Sequence, residues 1–202
     1  MDYIARKIFG KYKSPLAPMG SITEFSSIVF GSGIVSAMDT DNPVDEFRST
    51  VELIISTCEK SLDDILSNTE MISRILDIYM KARGSRHTCY FSGLGLLDYI
   101  TKMIAIRFQH LGLLVGDLSD WILRKPGDIL TVTSGSGEAP IPRILAQEAK
   151  KSNMILIAFT GNSLSTIARL ADISVVIRGV EERRKFFSVG SDMTTKFIPT
   201  FE

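Results

Sequence analysis

The sequence predicts an α/β protein: a mostly parallel sheet covered by helices on both faces, with a helical segment ahead of it. Three observations carry that expectation. Two short apolar runs, residues 129–132 and 154–159, each end in small polar residues, Thr133-Ser134-Gly135-Ser136-Gly137 and Thr160-Gly161-Asn162-Ser163. An amphipathic stretch at helical spacing follows each run, and the pair leads into a third apolar run at 173–177. An earlier stretch, 88–111, repeats the form of strand, glycine turn and helix. Strands alternating with helices at this pitch need crossover connections, which are right-handed and place helices on both faces of a parallel sheet.

The elements follow in chain order. Residues 21–38 read as a helix in which Ile22, Phe25, Ile28, Val29 and Val35 are apolar, while Gly31, Ser32, Gly33, Ser36 and Ala37 allow close packing. Asp39-Thr40-Asp41-Asn42-Pro43 breaks it. Between residues 44 and 79, Phe47, Val51, Ile54, Cys58, Leu62, Ile65, Ile72 and Ile75 step by threes and fours, predicting one long helix or two with a break near Ser67-Asn68. Residues 88–91 form a strand, Ser92-Gly93-Leu94-Gly95 a turn, and 97–111 a helix with Ile100, Ile104 and Phe108 on one face, stopped at Gly112. A short strand at 113–115 comes next. The run 129–132 is a strand, 141–151 a helix, 154–159 a strand, 164–170 a helix and 173–177 a last strand. Ligands on such sheets bind where the strands end, the edge that carries Gly93, the 134–137 loop and Gly161. The expected organisation is a helical segment, residues 1–83, that packs on the core or forms an interface, followed by an α/β core, 84–202.

Composition removes several classes. At 202 residues and 45% hydrophobic, the chain can build a full core and is not a disordered one. Lys plus Arg equals Asp plus Glu at 23 each, so no overall positive field gathers nucleic acid or anionic lipid. Cys58 and Cys89 have neither zinc-site spacing nor the number to staple a secreted domain, and read as reduced thiols. No apolar run is long enough for a membrane span, and the basic start lacks an apolar signal region, so a soluble, cytoplasmic protein is expected, with no nucleic-acid or membrane partner. No metal-ligand spacing is present, and Gly93-Leu94-Gly95 lacks the third glycine of a dinucleotide fingerprint, so no metal or organic cofactor is expected.

Ser134-Gly135-Ser136-Gly137-Glu138 carries the chemistry. It follows a strand and precedes a helix, so its amides, hydroxyls and the positive helix end can converge on a bound phosphate. The bland alternative is a β-α turn whose serines cap a helix.

The ordered set Ala105-Ile106-Arg107-Phe108-Gln109-His110-Leu111-Gly112, Lys125-Pro126-Gly127-Asp128-Ile129-Leu130, the 134–138 loop and Ile167-Ala168-Arg169-Leu170-Ala171-Asp172 resembles a SIS (sugar isomerase) domain, and is most similar to the 6-phospho-3-hexuloisomerases. The resemblance spans about residues 84–180. It implies a flavodoxin-like three-layer sandwich, self-association as dimer or tetramer, and a phosphosugar ligand. It implies that Gly93, Gly95, Ser134, Gly135, Ser136, Gly137 and Glu138 bind substrate or phosphate, and that His110 acts as acid at a substrate oxygen. Pro18-Met19-Gly20-Ser21-Ile22-Thr23-Glu24 matches the family's closing-helix motif, whose glutamate is the proton-transfer base; here the motif stands at the N-terminus. A weaker echo, Val189-Gly190-Ser191-Asp192-Met193-Thr194, precedes the C-terminus. Two arrangements explain this: a permuted closing helix, or a fragment of a duplicated parent.

Each site residue also has a structural reading. Glu24 stabilises a helix dipole, and His110 is a helix-end histidine. His87 reads as a solvated approach to a strand, 181–185 as a charged surface turn, and Trp121 as core or interface. Two stretches depart from the family pattern. Leu96-Leu97-Asp98 stands where Arg-Ser is usual, and Ala139-Pro140 where a threonine is common. The expected function is ketose-phosphate isomerisation through an enediol; the alternative is a noncatalytic sugar-phosphate-binding module, a sensor or structural subunit.

Overall fold

The computed structural model describes residues 21–38 and 40–177, with side chains from Phe25 onward. The Pro18-Met19-Gly20 part of the N-terminal motif, the 181–185 turn and the 189–194 echo lie outside the described residues. The chain divides into two compact units at the Glu59/Lys60 junction, inside a helix.

In the first unit, α1 (Ser21–Ala37) and the early turns of α2 (Pro43–Ser67) form a hairpin. The small residues of α1 serve close packing: a Cβ on Gly33 would come within 2.8 Å of the Phe47 ring. Phe30 meets Phe47 edge-on with centroids 5.1 Å apart, and Ser36 Oγ lies 2.7 Å from the Oγ1 of buried Thr50.

The second unit begins at Lys60, within the later turns of α2. Asn68 breaks the long apolar pattern into two helices: its side chain accepts from Met71 N at 3.0 Å and caps α3 (Thr69–Ser85). Helix α3 stops at Arg86, which takes a left-handed conformation with φ 56°. Then follow β1 (Thr88–Ser92), α4 (Leu96–His110), β2 (Leu114–Val115), a 3-10 turn (Leu118–Leu123), β3 (Ile129–Ser134), α5 (Pro140–Lys151), β4 (Ile155–Thr160), α6 (Thr166–Leu170) and β5 (Ile173–Val176). The 3-10 turn has no counterpart in the sequence reading. Helix α6 starts two residues later than expected because Ser165 caps it, accepting from Ala168 N at 3.2 Å.

All neighbouring strands are parallel, in the order β2-β1-β3-β4-β5. This is the flavodoxin-like order, whose direction of growth reverses between β1 and β3. Alternation along the strands builds two cores. Tyr90, Leu130, Val132, Leu156 and Ala158 face α5 and α6, joined by Ala146, Ala149 and Ile167. Cys89, Phe91, Ile129 and Ile157 face the other way, toward Ala82 of α3 and Ala105 and Phe108 of α4. Because α3 belongs to this second layer, with Tyr79 Oη 2.5 Å from Thr131 Oγ1, the sheet unit starts well before residue 84.

Two of the recognisable motifs are latches at the amino edge of the sheet. The Asp128 carboxylate, fully buried, accepts from Thr88 N at 2.9 Å and Lys125 N at 3.0 Å, joining the start of β1 to the start of β3. Asp172 accepts from Leu156 N at 2.8 Å and pairs with Lys150 at 2.6 Å. His87, expected to be solvated, sits over Gly127 with Nδ1 3.4 Å from Asp128 Oδ1; a Cβ on Gly127 would lie 2.6 Å from its ring. Cys89 is a core thiol that burial pushes up to about 12, whereas Cys58 is only partly buried. Trp121 is half-buried, edge-on to Tyr90 at 5.2 Å and under the Arg124 guanidinium at 5.1 Å. Among the described residues no helix is long and apolar enough to cross a membrane.

Candidate functional site

The reversal between β1 and β3 opens a crevice at the carboxyl edge, since β1 leads to a helix on one face and β3 to a helix on the other. The two loops that border it are the glycine turn after β1 and the serine-rich loop after β3. Cα register pairs Ser92 with Val132, so these loops leave adjacent strands at the same edge. Gly93, Gly95, Ser134, Gly135, Ser136, Gly137 and Glu138 are thereby brought together.

Both glycines of the first turn are required by geometry. A Cβ on Gly93 would lie 2.5 Å from the Leu97 carbonyl carbon, so the chain hugs the first turn of α4. Gly95 has φ 61° and ψ −129°, a conformation open only to glycine, and precedes α4 without capping it by a side chain.

The second loop is held from within. Ser134, buried, accepts from Gly137 N through its Oγ at 3.1 Å, and Ser136 Oγ accepts from Glu138 N at 3.1 Å. Gly135 O accepts from Gly161 N at 2.9 Å, and Gly137 O from Ile167 N at 3.2 Å, so the loop after β4 buttresses the loop after β3. Gly137 has φ 70°, and a Cβ there would meet Ser165 Oγ at 2.0 Å. Glu138 is a clip between helices: its Oε1 accepts from Thr166 N at 2.6 Å and its Oε2 lies 3.6 Å from Arg143. The Thr166 amide holds the Glu138 carboxyl below the usual glutamate range. Thr160, Ser165 and Arg143 are functional supports that the sequence reading did not single out; only their place in small polar loops and a helix's first turn signalled them.

The end of α5 offers fewer donors than a helix start usually does. Ala139 caps it without a side-chain bond, and Pro140 and Pro142 take the first and third helical positions. Of these three helical positions only Ile141 carries an N–H. Around the crevice the first turn of α4 adds Leu96 and Leu97, and Asp98, whose carboxylate is tied to Lys102 at 2.7 Å. The donors this edge could offer an anion are therefore loop amides and the serine hydroxyls.

The remaining two predicted residues are His110 and Glu24. His110 ends α4, a helix of 15 residues and so about 22 Å long at 1.5 Å per residue, which runs away from the crevice. It stands at the amino edge, with a buried Nδ1 that has no hydrogen-bond partner among the described residues, and its own chain does not bring it to the 134–138 loop. Glu24 falls in the first turn of α1; its side chain lies outside the described residues. No group of three His, Cys, Asp or Glu side chains among the described residues is placed to hold a metal.

Comparison with known proteins agrees with this architecture. No family model matches the chain. An uncharacterized protein of Archaeoglobus fulgidus is 30% identical over 122 residues, 58% of this chain and 67% of that protein. A 3-hexulose-6-phosphate isomerase of Mycobacterium gastri is 35% identical over 96 residues, 46% of this chain; the match spans about half of the isomerase, 48%. Among solved structures, a hypothetical protein of Methanococcus jannaschii, with an inferred molecular function of 3-hexulose-6-phosphate isomerase, superposes with a TM-score of 0.54 at 20% identity, covering 64% of this chain and 72% of that one. The chain belongs to the SIS, or sugar isomerase, domain family and is similar within it to the 6-phospho-3-hexuloisomerases.

Proposed function

We propose that this chain is a cytoplasmic phosphosugar isomerase that interconverts a ketose phosphate and its isomer through an enediol, in the manner of a 6-phospho-3-hexuloisomerase. The observation that carries the reading is the meeting of the Gly93–Gly95 turn with the 134–138 loop at the switch point, in a chain whose named relatives are 3-hexulose-6-phosphate isomerases. In this reading Ser134, Ser136 and the backbone of the 135–137 loop hold the phosphate, while the sugar lies toward β1.

The chemistry needs one base that takes a proton from the carbon beside the carbonyl and returns it to the neighbouring carbon, while a proton moves between the two oxygens. No oxidant or reductant is consumed, and neither metal nor organic cofactor is called for. Glu24 is the proposed base. Its support is the Pro-Met-Gly-Ser-x-x-Glu form together with the start of α1 at Ser21, which puts Glu24 in the first turn as that motif requires. His110 would act as acid toward a ligand held by a neighbouring copy. Self-association as a dimer or tetramer is part of the proposal, supported by exposed Leu76, Met80, Tyr99 and Ile106 on α3 and α4.

A second reading, a noncatalytic phosphosugar-binding module, draws on Leu96, Leu97 and Ala139 and on the two prolines of α5, which leave the crevice with fewer charged and hydroxyl donors. Incubation with hexulose and pentulose phosphates in deuterated water separates the two. The isomerase reading expects deuterium to enter the carbon-bound positions with wild type and not with Glu24→Gln. Binding without exchange favours the module, and exchange that persists in Glu24→Gln removes Glu24 as base.

A further inference from the structure

We infer that the Ser92 hydroxyl contacts the ligand in the switch-point crevice, taking a hydroxyl or carbonyl oxygen of the sugar and not its phosphate. This inference rests on the phosphosugar reading of the site. Ser92 ends β1 with no exposed surface, and its Oγ has no hydrogen-bond partner among the described residues. The buried hydroxyls of β3 and of the loops after β3 and β4 are bonded, Ser134 to Gly137 N, Thr160 to Asn162 N, Ser165 to Ala168 N and Thr131 to Tyr79; the other hydroxyl without a partner among the described residues, Ser174 Oγ, lies on β5, three strands from β1. A buried hydroxyl left unpaired carries its desolvation penalty uncompensated, and such groups concentrate where a ligand completes them.

Its place in the sheet fits that role. Ser92 pairs with Val132, and alternation puts it on the face of Tyr90, Leu130 and Val132, the face covered by α5. Ser134, two residues beyond Val132 on the same face, opens the phosphate loop. With strands about 4.8 Å apart and about 3.3 Å of rise per residue, the Ser92 and Ser134 backbones lie about 8 Å apart, a distance the carbon chain of a sugar phosphate can bridge. Nothing beside Ser92 offers an alternative hydroxyl: Gly93 has no room for a side chain, Leu96 and Leu97 are apolar, and Asp98 is held by Lys102. The loop amides and the serine hydroxyls of the 134–138 loop suit the phosphate charge, while a neutral serine hydroxyl at the end of β1 suits a neutral sugar oxygen. Ser92 closes an otherwise apolar strand, Cys89-Tyr90-Phe91-Ser92, and that break in the run is its only mark in the sequence.

The test is calorimetric titration of the full chain with two probes, fructose 6-phosphate and inorganic phosphate, on wild type, Ser92→Ala, the near-isosteric Ser92→Cys and Ser136→Ala. Both Ser92 variants are expected to lose about two- to twelvefold in affinity for fructose 6-phosphate, the worth of one neutral hydrogen bond, with inorganic phosphate affinity unchanged. Ser136→Ala is expected to weaken both probes. The free Ser92→Ala protein is expected to unfold at the same temperature as wild type or higher, since no internal bond is lost. Unchanged fructose 6-phosphate affinity in the Ser92 variants, equal loss for both probes, or a lower unfolding temperature overturns the inference and leaves the phosphosugar reading standing. Failure of wild type to bind either probe overturns both.

Discussion

Replacing Gly137 by alanine tests how tightly the 134–138 loop is built. The residue sits at φ 70°, and the added Cβ would lie 2.0 Å from Ser165 Oγ, 2.3 Å from Ser165 Cβ and 2.8 Å from Thr160 Oγ1. A non-glycine residue in the left-handed region costs about 1–2 kcal/mol. Ser165 must also move, and it caps α6 through its bond from Ala168 N, a contribution of about 1 kcal/mol. The sum is about 2–3 kcal/mol, before any displacement of the Gly137 N bond to Ser134 Oγ. For a chain of this size that loss lowers the melting temperature by about 4–12 °C. Urea denaturation followed by circular dichroism reads it directly. Gly84→Ala is the matched control: its Cβ meets nothing within 4 Å and it lies in the last turns of α3, so the same chemical change there should stabilise by up to about 1 kcal/mol. A Gly137→Ala protein within about 0.5 kcal/mol of wild type would refute the account of a closely buttressed loop.

Three further outcomes follow from the same geometry. Asp128→Ala leaves the Thr88 and Lys125 amides without their acceptor and should cost about 2–4 kcal/mol in denaturant titration, with Asp128→Asn losing less because one carbonyl oxygen remains. Arg86→Gly relieves a left-handed arginine at the end of α3 and should gain about 1 kcal/mol, read as a higher urea midpoint at constant slope. The Glu138 carboxyl titrates below its unfolded value, so its contribution to stability is present above the ordinary glutamate range and is lost as pH falls through the folded value. The Thr166 amide resonance should follow that acidic titration, and Glu138→Gln should flatten the acid limb of the stability profile.

The sheet and its helices were legible because each buried strand is a short apolar run closed by small polar residues, a pattern set by burial on both faces. The loop at 134–138 was legible for the same reason, as a Gly-Ser stretch between strand and helix. What the sequence did not reveal depends on contacts between distant residues. Helix α3 belongs with the sheet because Tyr79 reaches Thr131 and Phe108, 52 and 29 positions on, and no local pattern announces that. Asp128 and Asp172 stood in the sequence only as parts of a family signature; in the structure each carboxylate accepts from an amide of a neighbouring strand. His110 drew notice from its His-Leu-Gly setting, yet the length of α4 carries it to the edge opposite the crevice. Pro142 was overlooked because its effect, one fewer amide at the start of α5, appears only once the helix start is fixed at Pro140.

The central claim is that a phosphosugar sits in the crevice between the ends of β1 and β3. Amide chemical-shift mapping of the full chain with fructose 6-phosphate tests it most directly. The account predicts saturable shifts concentrated at Ser92, Gly93, Gly95 and residues 134–138, with the amino-edge amides of Thr88 and Lys125 unmoved. Shifts that cluster at the amino edge, or none at ligand excess, would contradict it.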